Sequence, residues 1–522
     1  MPRKPKAKDG LTARERVALY EAEQAQKQAR LSDKSDIAMN DTLSESSGDP
    51  LTRSSQGAEA KAEKRVEKIL PKPQHATVRV DLSLELDEIK PMHGMCNGPV
   101  SYGADLSELY REIGVPSVRF ASTDTAISAY AVDISRIFKN FDADPHDAAN
   151  YDFAATDVYV RAAHDCGARV IFRLGESIDR ISDKPVRTVR DADVWCEVCV
   201  NVIKHYNDYW ASGYAYGIER FEILECFGDV GEREREQGFE LYRKLSGMIK
   251  LYDRSIKVGG MCFDDESTVR EFIKYCRKNH APLDFLTLSC FESSPLAVAQ
   301  GVKRIVPTLK NLGFSDTEII IGEWAYIAKD VDASTNIAKQ MMFGKKKAPA
   351  NKISGLFAEQ SGIKGAAYAL SLMLELGGIE EVAAAHLYDG QPALSPWCAI
   401  CNRFGEVQKT FYAYKMFGEL YRARRSVFCV SEQTEGYAHS GIYAAAARSS
   451  GGAAWVLISS FEGCGVVDLR LEGIPSDIYT AEVFILDGVK NFESGDSVQL
   501  SGAKKRLLLN VSEFGAILVK LY

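Results

Sequence analysis

Between residues 91 and 421 the chain alternates short apolar runs with longer amphipathic stretches, and this rhythm limits the fold more than any other feature. The runs lie at 91–95, 117–122, 169–174, 221–226, 257–262, 284–291, 318–324 and 383–388. Helix-like segments fill 105–113, 153–166, 192–209, 234–251, 267–279, 297–312 and 355–376, and another, 407–421, follows the last run. Strand–helix alternation predicts parallel strands covered by helices. Eight is the strand number of a closed (β/α)8 TIM barrel, whose chemistry sits at the carboxyl ends of its strands.

Past residue 423 the period shortens. Alternating segments at 426–429, 441–446, 454–460, 466–471, 479–486, 506–511 and 516–521 are separated by turns rich in Gly, Asp and Ser. This predicts a C-terminal β-sandwich over 424–522. A clean period-two strand at 77–86 is expected either within the barrel unit, 73–423, or as a strand of the sandwich. Residues 1–72 contain a single aromatic, Tyr20, amid charged and small polar residues. Such a tract cannot bury enough apolar surface to offset its chain entropy. A disordered tail is expected there, with an exposed helix at 13–30 and a role in docking a protein partner.

Composition narrows the function. Lys and Arg number 64 against 72 Asp and Glu, a formal charge of −8, which argues against a nucleic-acid binder. No apolar stretch is long enough for a membrane helix. The basic start, Met1-Pro-Arg-Lys, lacks the apolar core of a signal peptide, so a cytoplasmic location is expected. The 12 Cys then read as reduced thiols. Two Cys-x-x-Cys pairs, Cys196/Cys199 and Cys398/Cys401, are too far apart in sequence for a paired zinc knuckle, and no metal is expected. Gly344-Lys-Lys-Lys lacks the surroundings of a phosphate loop and reads as a solvated charge run.

The polar residues at the predicted strand ends are Arg119, Glu176, Glu222, Glu225, Ser289, Glu292, Glu323, Trp324, His386 and Asp389. A carboxylate-rich rim with aromatics suits glycosidic bond chemistry, where one carboxyl group attacks or orients and another protonates the leaving oxygen. Glu323 ends the apolar strand Glu318-Ile-Ile-Ile-Gly-Glu-Trp and reads equally as a cleft carboxylate or a salt-bridged strand end. In the fourth strand Glu222 and Cys226 share a face by alternation, which would put Glu225 against the helices. A bend is expected at that strand end, because a carboxylate packed on helices is costly.

Over about residues 76–522 the sequence resembles the family 39 glycoside hydrolases, the β-xylosidase and α-L-iduronidase family. The likeness rests on His93-Gly-Met-Cys-Asn-Gly-Pro, Asp105-Leu-Ser-Glu-Leu-Tyr-Arg-Glu-Ile-Gly-Val-Pro-Ser-Val-Arg, Gly322-Glu-Trp and Phe404-Gly-Glu-Val-Gln-Lys-Thr-Phe-Tyr-Ala-Tyr-Lys. It implies a barrel with an accessory sandwich, a retaining mechanism, a carbohydrate substrate and no cofactor. Glu323 matches the family's nucleophile. The Trp-Asn-Glu-Pro of the acid/base strand reads Leu224-Glu225-Cys226-Phe227 here, and the family's His-x-Tyr reads Ser289-Cys290-Phe291. A thiol is a weak hydrogen-bond donor and a poor substitute for the acid. Glu225, moved by a small register shift, is the expected replacement, which requires carboxyl groups about 5–5.5 Å apart. Substrate contacts are expected from His93, Asn97, Arg119, Glu176, Ser289, Trp324, His386 and Asp389. Trp397 is open between a sugar platform and core filling. The expected function is retaining glycoside hydrolysis. The alternative is a catalytically inactive glycan-binding or scaffold protein on the same barrel.

Overall fold

The computed structural model describes residues 75–101, 104–121, 131–177, 192–224, 231–328, 358–391, 398–402, 404–432, 440–463 and 465–522. The tail 1–72, Glu225, Cys226, Trp397 and the Lys run after Gly344 lie outside them. The first strand, β1 (His75–Glu88), does not enter the barrel. The barrel begins at β2 (Gly94–Cys96). A short antiparallel pair, β3 (Val100–Ser101) and β4 (Ala104–Asp105), precedes β5 (Ser117–Phe120). Then come β6 (Arg169–Leu174), β7 (Arg220–Ile223), β8 (Lys257–Phe263), β9 (Phe285–Glu292), β10 (Glu318–Tyr326) and β11 (Val382–Leu387). These eight strands close in chain order, with β11 pairing parallel to β2. All eight strands read from the sequence are present.

The local physics is visible in β10, where Ile319, Ile320 and Ile321 are each fully buried, as expected of a parallel strand covered on both faces. The helix Glu266–Asn279 buries Val269, Phe272, Ile273 and Cys276 on one stripe, and the Asp265 side chain caps its first turn by accepting from Thr268 N at 2.8 Å. The helix Ile363–Gly377 is apolar nearly all round because it is buried nearly all round. One side covers β10 and β11; the other packs on the second sheet.

That sheet has nine strands, ordered β17-β16-β19-β14-β13-β12-β1-β15-β18. The further strands are β12 (Arg425–Glu432), β13 (Ile442–Arg448), β14 (Ala454–Phe461), β15 (Val466–Glu472), β16 (Thr480–Leu486), β17 (Asn491–Gln499), β18 (Lys505–Asn510) and β19 (Phe514–Leu521). Of its two possible homes, β1 takes the sandwich-like sheet, antiparallel to β12 and parallel to β15. Ala76, Val78, Val80 and Leu82 point into its core. The barrel and this sheet share a seam. Tyr326 and Tyr368 meet Phe461 at centroid distances of 6.0 and 5.6 Å, and Ser371 Oγ lies 2.9 Å from Ser459 Oγ.

Candidate active site

On β5 all four residues are buried, with Ser117 and Arg119 on the face opposite Val118 and Phe120. The barrel interior therefore receives a guanidinium with no water access. Arg119 Nε donates to Glu222 Oε2 at 2.6 Å and Nη2 to Glu222 Oε1 at 3.1 Å, a two-pronged grip. Its third nitrogen, Nη1, donates to Glu323 Oε1 at 2.9 Å. Glu222 also accepts from the Thr287 hydroxyl at 2.6 Å, and that hydroxyl accepts from Cys262 N at 2.8 Å. One cation thus spans two carboxylates, an arrangement tolerable in a dry interior only because every charge is paired.

Glu323 reaches this grip through an irregularity in β10. The pairing with β9 runs from Ile321↔Leu288 to Glu323↔Ser289, so Gly322 is an extra residue. A side chain at Gly322 would lie 3.1 Å from both Arg119 Nε and Cys262 Sγ, which is why glycine stands there. Cys96 Sγ donates to the Gly322 carbonyl at 2.8 Å, fixing the bulge from β2. Glu323 is 7 % exposed, Glu222 not at all. Glu323 Oε1 is held by Arg119, while among the described residues Oε2 accepts no hydrogen bond.

Trp324 points the other way. It is 1 % exposed, packed outward between Tyr368 (6.0 Å) and Tyr414 (6.5 Å), so it is a core residue and not a sugar platform. His93 and His386 are corrected on the same ground, since both are fully buried. His93 lies against Phe417 and Tyr421 and its Nε2 reaches the Gly114 carbonyl at 3.1 Å. His386 Nδ1 faces the Ile321 carbonyl at 3.3 Å, so Nε2 is the acceptor for the Ser117 hydroxyl at 2.9 Å. Burial pushes both imidazoles down to about 3, and both are neutral struts of the barrel.

Asn97 and Asp389 close the barrel where β2 and β11 end. Asn97 Nδ2 donates to Asp389 Oδ1 at 3.3 Å, Asn97 Oδ1 accepts from Ala121 N, and the Tyr110 hydroxyl lies between the carbonyls of Asn97 and Gly390. Both side chains are buried in these bonds, at 0 and 3 % exposure. Ser289 is the β9 neighbour of Glu323 and is partly exposed. Phe291 meets Tyr388 at 6.0 Å.

Glu176 follows the end of β6. It accepts from Ser135 N at 2.9 Å and Ser135 Oγ at 2.7 Å. Burial, together with nearby Asp133, pushes its carboxyl up to about 7 against those bonds. Beside it Arg173 donates to Asp133 at 2.7 Å, and Asp133 also accepts from Ser177 N and Oγ. On the neighbouring strand, β7 ends at Ile223, and the next residue, Leu224, has a φ of 64°, which breaks the alternation at the strand end where a bend is expected.

Glu222 as the anchor of Arg119, Thr287 as the anchor of Glu222, and the Arg173–Asp133 pair were not assigned these roles by the sequence. Their signal was a polar residue inside an apolar strand, as in Phe285-Leu-Thr-Leu and Val170-Ile-Phe-Arg. Among the described residues no three His, Cys, Asp or Glu side chains converge as metal ligands. A cavity of about 320 Å³ opens at the opposite, amino-terminal mouth of the barrel, remote from Glu323.

Solved structures share this fold. A glucosidase from Croceicoccus marinus superposes with a TM-score of 0.69 at 18 % identity, covering 86 % of this chain and 99 % of its own. The GH39 enzyme from Xanthomonas axonopodis pv. citri gives 0.58 at 14 % identity, covering 88 % and 99 %. A monomeric β-xylosidase from Caulobacter crescentus CB15 gives 0.58 at 14 %, covering 85 % and 99 %. No family model matches the chain, and no curated protein does. The class defined is therefore a fold, the (β/α)8 barrel with accessory sheet seen in family 39 glycoside hydrolases and their structural relatives. Among the described residues no helix is long and apolar enough to cross a membrane.

Proposed function

We propose that the chain is a retaining glycoside hydrolase in which Glu323 is the nucleophile. One observation carries this reading: at the carboxyl end of the seventh barrel strand, Arg119 holds one oxygen of Glu323 and, among the described residues, leaves the other without a hydrogen-bond partner. Oε2 attacks the anomeric carbon as the leaving oxygen departs, giving a glycosyl-enzyme that water then hydrolyses. Arg119, fixed by Glu222, keeps the carboxylate aimed. Glu225 supplies the proton in place of the family's acid, whose position is Cys226. The similarity of fold to a glucosidase and a β-xylosidase makes glucosides and xylosides the substrates of choice.

The test is azide rescue. Glu323→Ala incubated with aryl glucosides and xylosides bearing good leaving groups should turn over only with added azide, and the glycosyl azide should have inverted anomeric configuration. Absence of a glycosyl azide, or an azide of retained configuration, removes Glu323 from the role. The second reading, an inactive glycan-binding barrel, is favoured by Cys226 and by the burial of Glu323. It predicts saturable sugar binding without turnover by the wild-type chain.

A further inference from the structure

The Cys398/Cys401 pair has no place in the reading above, and its geometry is unlike that of the other Cys-x-x-Cys. Their sulfurs lie 3.9 Å apart in a turn outside regular helix, where Cys401 bridges to Val407 and the Ile400 carbonyl accepts from Gln408 N at 2.9 Å. Cys196 and Cys199 instead lie within the helix Ala192–Asn207, and no hydrogen bond joins them. We propose that Cys398 and Cys401 are a dithiol site that a small peroxide oxidises to a disulfide.

Three features support this. The spacing is that of redox dithiols, and the sulfurs need close only from 3.9 Å to a bond of about 2 Å. The thiol–thiol hydrogen bond holds Cys401 below the ordinary thiol range and pushes Cys398 up, which separates an attacking sulfur from a resolving one. Among the described residues, Tyr110 and Asp389 are the titratable groups that face the pair. At 7 and 2 % exposure the thiols suit a diatomic-sized oxidant better than a protein one.

The chemistry balances in two steps. The Cys401 thiolate attacks one oxygen of hydrogen peroxide, breaking the O–O bond and giving a sulfenic acid and hydroxide. The Cys398 sulfur then attacks Cys401 Sγ and displaces hydroxide; its own proton neutralises one hydroxide, and the proton that Cys401 released on ionising neutralises the other. Two thiols and one peroxide become one disulfide and two waters.

The test uses the full chain, treated with equimolar hydrogen peroxide, alkylated under native conditions and then in denaturant, and digested with trypsin. Residues 365–403 form one tryptic peptide holding only these two cysteines. That peptide should become lighter by two hydrogens, refuse alkylation, and recover both thiols with dithiothreitol. It should do so before Cys96, Cys196, Cys199, Cys262 or Cys276 loses any label. Cys398→Ser should stop at a sulfenic acid on Cys401 that dimedone captures. The proposal is overturned if the wild-type peptide still takes two alkyl groups, or gains oxygen without losing hydrogen. Neither readout depends on glycosidase activity.

Discussion

Replacing Arg119 by Lys keeps the charge and removes the fork. Its three nitrogens now reach the two carboxylates, at 2.6 and 3.1 Å to Glu222 and 2.9 Å to Glu323. A single ammonium cannot reproduce that planar spread. It should settle on Glu222, which is fully buried and already braced by Thr287. Glu323 then loses one charge-assisted bond, worth about 1.5–3 kcal/mol. If that bond serves the transition state, kcat/KM on an activated aryl glycoside falls roughly 10- to 150-fold, at 1.36 kcal/mol per decade. The assay is initial rates on the best substrate of the glucoside and xyloside panel, with circular dichroism to confirm the fold. Wild-type kcat/KM in a folded Arg119→Lys protein would refute the positioning argument.

Glu222→Gln leaves Arg119 half-paired in a dry interior and should cost about 3–5 kcal/mol of stability by thermal or denaturant unfolding. A shift near zero would show that the pair is dispensable. Trp324→Phe should leave KM unchanged, and Trp324→Ala should destabilise by about 3–5 kcal/mol, the cost of emptying an aromatic core site. A raised KM with intact stability would return Trp324 to the sugar. For Glu176 the folded pKa is raised, to about 7 from 4.5, so its contribution to stability is full below pH 4.5 and is lost as the pH rises through 7. Glu176→Gln should therefore gain on wild type in melting temperature at pH 8 relative to pH 4.5; no pH dependence of the difference would contradict the assigned burial. His93 and His386 act in the opposite sense, being depressed from 6.5 to about 3. Their stabilisation is present above pH 6.5 and is lost on acidification toward 3, so unfolding in that window should take up protons, and His386→Gln should flatten the slope.

Barrel strands were legible because parallel strands covered on both faces are written as short apolar runs, as in Ile319-Ile-Ile. β17 was not. Its Asn491-Phe-Glu-Ser-Gly-Asp-Ser-Val-Gln is polar and carries a glycine, as suits a strand at the sheet edge with little burial on either face. Alternation also gave Glu323 and Trp324 as neighbours at one strand end, but it could not say that an extra residue at Gly322 keeps the carboxylate on Arg119 while the indole turns into the helix layer. Phase at a bulge depends on which side chains need the space, here Arg119 and Cys262. His93 and His386 look like rim residues by position. Only packing shows that Gly114, Ile321 and Ser117 occupy their ring nitrogens' surroundings. Glu222, Thr287 and Arg119 lie on separate strands, and no linear spacing records that β5, β7 and β9 aim them at one point.

Covalent capture addresses the nucleophile itself. Activated 2-deoxy-2-fluoro glucosides and xylosides, incubated with the wild-type chain and analysed by peptide mass spectrometry, should add one fluorosugar to the tryptic peptide 311–329, with fragmentation locating it on Glu323. An unmodified peptide across both sugars, or a fluorosugar on another carboxylate, contradicts the account.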